Sequence, residues 1–591
     1  VIAAAAATAS LAACGGPGYP PTVFEGTAAV VAWDGALTSV NAASVSGATP
    51  GNLDVERLTR AQFAREREGE ITVDPLFGEV AIEVEDETDF VVSFDLADPV
   101  WSDGIAIDAA DLMLAWAAGS DFFSEEEGED PLSFASIETG MRLSDEIPSY
   151  DEFDKRIEVS FERPIVDWRT ALDVAVPAHA VGLLALGVED PMEAKTAVID
   201  AIAGADADAL AKIAETWNEG FDVTGDIGQN EGGELTLSSG PFRVEQIEGA
   251  SDQRVSLVAN GSYVGAPTAS YERIVLQRET EPDVAADIGE TYDIVQVPPR
   301  ADDFLAIRDL ERTDYGVDTT DRGEVWVVLA RVDGASRLSD TTMREVFLRA
   351  FDRGDMIDDA AGEWEDAYAT HSSVLFAPGS DGYQIALEDA GFGERFRSRG
   401  NAFDEREAAG IPPKLRMCVL YDTGSAFARG LFASLERQLP EAGWGARDCG
   451  SDDVEGMLEM GGDWDILLTK IAIPETPAEI AAQWGTGGSA NHAGAVSEKR
   501  DALIAELERE TDQYEARDLR VAIEKTIVEQ MVAAPLSMDP IITVSDRGME
   551  GVLPRSGRVA PLFAGATEWR PADRDSPVED QPSGEDDDGL L

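Results

Sequence analysis

Apolar and polar positions alternate in short runs along most of this chain, and Gly, Pro, Asn or Asp bounds nearly every run. FVVSFDL at 90–96 alternates with a period of two, the pattern of a strand with one buried face. DAADLMLAWAAG at 108–119 instead repeats its apolar side chains at helical spacing. Asp108 suits the N-cap of that helix and Asp111 its first turn, where negative charge complements the helix dipole. TAAVVAW at 27–33, RIEVSFERP at 156–164 and YERIVLQ at 271–277 predict further strands. LRMCVLY at 415–421, FARGLFASLERQL at 427–439 and GARDC at 445–449 predict a strand, a crossover helix and a second strand, which places both strands in one parallel sheet. Two late helices, at 499–512 and 515–531, precede the strand PLSMDPIITV at 535–544. Strands and helices alternate without internal repeats, so the predicted class is mixed α/β.

Charge narrows the partners. The 591 residues hold 116 Asp and Glu against 45 Lys and Arg, a net charge of −71. Such a field repels a phosphate backbone and excludes a nucleic-acid binder. We read the acidic excess as a solvated surface. The length exceeds what one core serves, so two or three lobes are expected. Catalytic patterns are missing: the chain has no Gly-Lys-Ser/Thr phosphate loop, HExxH, Gly-x-Ser-x-Gly elbow or CxxC pair. GTGGSA at 485–490 fits a loose dinucleotide fingerprint, but no strand immediately precedes it. His179, His371 and His492 lie far apart and are read as structural. The expectation is a protein that is not an enzyme and needs no cofactor or metal.

The N-terminal run VIAAAAATASLAA at 1–13 is too short to cross a bilayer, and no later apolar run reaches the ~18 residues a span needs. Leu11-Ala12-Ala13-Cys14 resembles the lipobox of bacterial lipoproteins. That resemblance implies a truncated signal peptide at 1–13, a lipid anchor on Cys14, a tether at 14–26 and a place on the extracytoplasmic face of the cell membrane. At the other end, 570–591 is predicted to be a disordered acidic tail. Export leaves Cys418 and Cys449, which the crossover geometry allows to form a disulfide. Two buried free thiols are the alternative.

A set of ordered motifs carries a resemblance to a known family. WSDG at 101–104 leads into DAADLMLAW and resembles the WSDGxPxTAxD signature of family 5 extracellular solute-binding proteins, the oligopeptide and dipeptide type receptors of ABC importers. SSGPFRVE at 238–245, VANGSYVGAP at 258–267, REVFLRAFDR at 344–353 and the stretch from 499 to 538 resemble later motifs of the same family in the same order. LTSVNAASVSGATPGN at 37–52 is similar to its actinobacterial lipoprotein branch, which includes the monoacyl phosphatidylinositol tetramannoside-binding lipoprotein. The resemblance implies a two-lobed periplasmic-binding-protein-like fold of class II, large cluster C type, with mixed sheets and a hinge. Lobe 1 is expected at 27–277, with 536–569 returning to it, and lobe 2 at 278–535. The implied partners are a small-molecule ligand, peptide or glycan-like, and ABC permease subunits, with the receptor a monomer. The chain departs from the peptide receptors at KIAIPETPAEIAAQW, 470–484, where the nearest acid is Glu475 rather than an Asp in register. Ala330 also stands where many relatives carry Asn.

A receptor of this kind needs aromatic walls and a few polar anchors where strands run into loops. Trp33 and Asn41 follow the first strand, Trp326 begins a central one, and Trp484, Asn491 and His492 occupy a Gly-rich loop. Core or loop packing explains each of these equally well. Arg331 and Glu475 are candidates to pair with polar ends of a ligand. Net charge favours a ligand that is neutral or cationic at its recognised end, since anions are repelled over a Debye length of about 8 Å. A phosphodiester held by Arg331 or Arg300 is the exception this leaves open. A second function also fits: an envelope lipoprotein of the same fold that binds a lipoglycan precursor or a partner and regulates envelope biosynthesis without transport.

Overall fold

The strand Phe24–Trp33 is the first element of the structure, a computed structural model that describes residues 18–572 except 68–69, 87–88, 125–132, 151–154, 230, 335 and 398–400. Cys14, with the signal-like run before it, and the acidic stretch from 573 onward lie outside the described residues. Ala29 and Val31 are fully buried, and parallel pairing with Tyr271–Arg278 sets Val31 against Leu276. On one side of this pair follow Arg254–Ala259 and Phe242–Glu248, both antiparallel. On the other side come Ile294–Val297, Ala533–Ser545, Gly316–Ala330, Ile466–Ala472, Leu415–Tyr421 and Trp444–Asp448, completing a ten-stranded mixed sheet. A separate four-stranded antiparallel sheet is built from Gly78–Asp86, Asp89–Leu96, Arg156–Phe161 and Ser149–Tyr150. Its Phe90, Val92 and Phe94 pack with Leu112 and Trp116 of the helix Ala109–Gly119.

Side-chain alternation explains why the central strand reads as a continuous apolar run. Val325, Val327 and Leu329 join a core with Trp464, Trp484 and Ile523, whereas Trp326, Val328 and Ala330 join another with Phe427, Leu431 and Ile542. Both faces of this part of the sheet are covered, as a buried mixed sheet requires.

The motif at 101–104 folds as an architectural knot. Trp101 is fully buried and its indole donates to Asp111 Oδ1 at 3.2 Å. Asp111 also accepts from the backbone N–H of Asp108 (3.0 Å) and of Ala178 (2.8 Å). Lys195 Nζ lies 2.8 Å from Asp111 and 2.9 Å from Asp108, so the capping box of the helix is locked by a buried cation. Gly104 makes the tight turn possible at φ +89°.

The crossover at 415–449 has parallel strands Leu415–Tyr421 and Trp444–Asp448 joined through the helix Ala426–Gln438. Cys418 stands opposite Arg447, and its Sγ is bonded to that of Cys449 with the Cα atoms 5.7 Å apart.

The segment expected to return to lobe 1, 536–569, divides between two cores. Ala533–Ser545 pairs with Gly316–Ala330 and Ile294–Val297, and its Leu536, Ile542 and Val544 lie in the core of the second half. The crossing comes later: Val552, Leu562, Phe563 and Trp569 join Ala29, Val31 and Phe242 in the core of the first half. Arg570–Pro571, placed by sequence in the acidic tail, pairs with Met549–Glu550. Trp569 is fully buried, and the two residues after it are held beside the 549–550 strand.

Candidate functional site

A cavity of about 820 Å³ lies between the two halves. The helix Pro50–Thr59 and the segment after it supply Glu56, Arg60, Gln62 and Arg65, while Leu172 and Asp173 come from a loop of the same half. Glu475 and Arg558 complete the wall, together with Phe563 and Thr567. A smaller cavity of about 110 Å³ shares Glu475, Gly557 and Arg558 with it, so the two form one cleft. Phe376, Ile473, Ile480 and Leu507 give that smaller end an apolar lining.

The helix Pro50–Thr59 forms here because Thr49 caps it, accepting from the backbone of Asn52, and Pro50 opens its first turn. Its C-terminal end delivers an ordered set of charges. Arg65 pairs with Glu56 at 3.2 Å and donates to the carbonyl of Arg60 at 2.8 Å. Arg60 is buried and spends its guanidinium on main-chain carbonyls: Ala175 (2.6 Å), Leu237 (3.0 Å), Thr59 (3.2 Å) and Val40 (3.3 Å). Burial pulls Arg60 down to about 10, against the opposing pull of Glu56 and Asp173. Gln62 donates to Asp173 Oδ1 and is itself held because its carbonyl accepts from the backbone of Val174 at 3.1 Å. Burial, reinforced by the charge on Glu56, raises Asp173 to about 6, with Arg65, Arg60 and Gln62 opposing. Tyr263 on the same wall is pushed up to about 12, mainly by burial and then by Asp74.

Arg558, in the segment that returns to the first half, reaches across to the other half and makes a two-pronged pair with Glu479, at 2.9 and 2.8 Å. Burial raises the Glu479 carboxyl, but Arg558 and the main chain of Glu475 and Thr476 outweigh it and hold the group below its ordinary value. Glu479 also closes the capping box of the helix Pro477–Trp484, which fixes the 473–476 turn against the cleft. At the rim the halves touch directly. Arg163 pairs with Glu508 at 2.9 Å, the Val166 N–H donates to the Glu508 carbonyl at 3.1 Å, and the Trp168 indole donates to the Thr511 carbonyl at 3.4 Å.

Of the sequence candidates, Glu475 lines both cavities of the cleft. Trp33 is a core residue whose indole donates to Asp54 at 2.8 Å. Asn41 is buried and donates to the Trp217 carbonyl at 2.8 Å, one position before Ala42 and Ala43, which line the cavity. Trp326 is buried beside Phe427 and donates to Asp539 at 2.8 Å. Arg331 pairs with Asp333 at 2.9 Å, donates to the Gly462 carbonyl at 2.7 Å and lies over Trp464. Trp484 is buried, Asn491 ties its loop to the carbonyls of Gly485 and Ala495, and His492 is exposed in the same loop. These residues are not brought together around the cleft. The polar set that is, Glu56, Arg60, Gln62, Arg65, Asp173, Tyr263 and Arg558, was not singled out from sequence. The signal available was VERLTRAQFAR at 55–65, which alternates charge with apolar anchors across a helix end.

Arg60, Arg65, Glu56 and Arg558 of this cleft are engaged with one another, with Glu479 or with the main chain. Among the described residues, no group of three or more His, Cys, Asp and Glu could hold a metal ion, and no helix is long and apolar enough to cross a membrane.

No family model matches the chain. It is 26% identical over 294 residues to an uncharacterized lipoprotein of Mycobacterium tuberculosis (strain ATCC 25618 / H37Rv), covering 48% of each. It is 26% identical over 316 residues to an uncharacterized lipoprotein of Mycobacterium leprae (strain TN), covering 52% of this chain and 51% of that one. The alignment spans about half the length of the curated relatives it matches. Among solved structures, the periplasmic EDTA-binding protein EppA superposes with a TM-score of 0.70 at 17% identity, covering 95% of this chain and 98% of that one. The ABC transporter substrate-binding protein CtaP from Listeria monocytogenes gives 0.67 at 15%, covering 92% and 99%. The oligopeptide-binding protein AppA from Bacillus subtilis, in complex with a nonapeptide, gives 0.60 at 13%, covering 92% and 99%. The fold is that of the two-lobed periplasmic binding proteins.

Proposed function

We propose that this chain is the extracytoplasmic solute receptor of an ABC importer, held to the membrane by lipid on Cys14. The observation that carries the reading is the cleft: about 820 Å³, walled mainly by the first half, faced by Glu475 of the second and furnished with fixed polar groups, in a fold shared with substrate-binding proteins. Such a cleft fits a solute of several residues or sugar units, since ligand pockets run from ~300 to 1,000 Å³. The hinge is assigned to 279–293 and 546–548. There the parallel register across the halves is short, Val31 against Ile294 and Ala32 against Val295, so a rotation disturbs little strand pairing.

The 37–52 loop favours one variant of this reading. Ala42 and Ala43 of that loop line the cavity, and the loop is the segment whose sequence resembles the lipoprotein branch, so the second reading is a glycan-bearing lipid precursor bound in the same cleft by an envelope lipoprotein that does not transport it. Small-angle scattering tests the shared claim. Protein stripped of solute should become more compact when the molecules released from it are returned, and an unchanged profile contradicts the receptor reading.

A further inference from the structure

Asp173 is a carboxylate on the cleft wall, set between Arg60 and Arg65 yet paired with neither. Arg65 is committed to Glu56 and to the Arg60 carbonyl, Arg60 to four main-chain carbonyls, and Arg558 to Glu479. Asp173 lines the 820 Å³ cavity and is held by Gln62, and among the described residues no Lys or Arg nitrogen lies within 4.0 Å of it. A buried carboxylate is costly unless a cation meets it. Gln62 is anchored in turn by the Val174 N–H, so the carboxylate is fixed before anything binds. Preorganisation of this kind stabilises a bound charge without a reorganisation cost.

We propose that Asp173 anchors a cationic nitrogen of the bound solute, an ammonium or a guanidinium, and so determines which solutes the cleft accepts. This rests on the receptor reading above. An arriving cation completes the ion pair that the two neighbouring arginines leave unmade. The charged groups facing Asp173 are Glu56, Arg60 and Arg65; Asp74 and Tyr263 stand beyond Arg65, and Glu475 and Arg558 lie on the opposite wall. Burial raises the carboxyl to about 6. Protonation removes the charge that the cation pairs with, so binding of a cationic solute weakens as pH falls below that value.

The probes are a library of tetrapeptides with free N-termini, the same library after N-acetylation, and maltotetraose as a neutral oligosaccharide, each titrated calorimetrically into the whole protein. Free-amine peptides should bind at least tenfold more tightly than acetylated ones at pH 7.5. Asp173→Asn should abolish that preference. In the wild type, which needs no variant to fold, the preference should shrink between pH 7 and 5. Equal binding of both peptide libraries, binding of maltotetraose alone, retention of the preference by Asp173→Asn, or no binding of any probe overturns the proposal. None of these outcomes bears on ligand-dependent compaction, so the receptor reading stands or falls separately.

Discussion

Glu524 is one buried acid through which pH acts on the stability of this protein. It lies on the helix Gln513–Gln530 and accepts from Ser373 Oγ at 2.6 Å and from the Val374 N–H at 2.9 Å. Burial nevertheless pushes its carboxyl up to about 7. A carboxyl raised in the folded state favours folding while it is protonated, so its contribution is present below the ordinary value of about 4.3 and is lost as pH rises toward neutrality. Glu524→Gln removes the titration. Relative to wild type, its stability in denaturant melts should improve by roughly 3 kcal/mol between pH 4.5 and pH 8. A difference that stays constant over that range contradicts the assignment. Trp326 makes the opposite point about legibility. An aromatic residue at a strand end looks the same in sequence whether it walls a cleft or fills a core, and here Phe427 and Asp539 enclose it. Trp326→Ala should therefore cost about 3–5 kcal/mol of stability. Affinity for solute measured on the remaining folded fraction should be unchanged; a selective loss of affinity would restore Trp326 to the site.

At the scale of elements, local pattern was a good guide wherever one element carried its own signal. The crossover at 415–449 could be read because a β-rich run, an amphipathic helix and a second run follow one another directly, and parallel pairing is then forced by connection length. The Cys418–Cys449 bond joins the first of those strands to the residue just past the second, closing a separation of 31 residues. In the chain-entropy account such a loop contributes about 3–4 kcal/mol. Replacing both cysteines by Ser should lower unfolding free energy by about that amount, and an unchanged denaturation midpoint would show that the bond carries no stability. The WSDG turn was legible as a motif but not as a structure. That Asp111 gathers Trp101, Ala178 and Lys195 depends on a lysine 84 positions away, which no local window contains.

The whole molecule explains why the site itself was hard to read. Its wall is assembled from 56–65, 172–173, 263, 475 and 555–568, segments that meet only because the chain leaves the first half after Tyr271–Arg278 and returns after Ala533–Ser545. Sequence placed that return at 536 because the chain was expected to come back with its final strand. That strand pairs with Gly316–Ala330, and Val552, Leu562, Phe563 and Trp569 after it join the core of Ala29, Val31 and Phe242. Glu475 was singled out as the acid nearest to the position where the peptide receptors carry an Asp, and the capped turn before Pro477 brings it to the cleft. Acidic residues elsewhere are so abundant that Glu56 and Asp173 could not stand out by type. The claim on which the account turns is that this cleft carries a solute. Native mass spectrometry of the protein purified from its own cells measures that directly: the wild type should retain a noncovalent small-molecule adduct, and Tyr263→Ala and Asp173→Asn, both on the cavity wall, should lose most of it. A wild type of bare mass, or an adduct that survives both substitutions undiminished, would contradict the account.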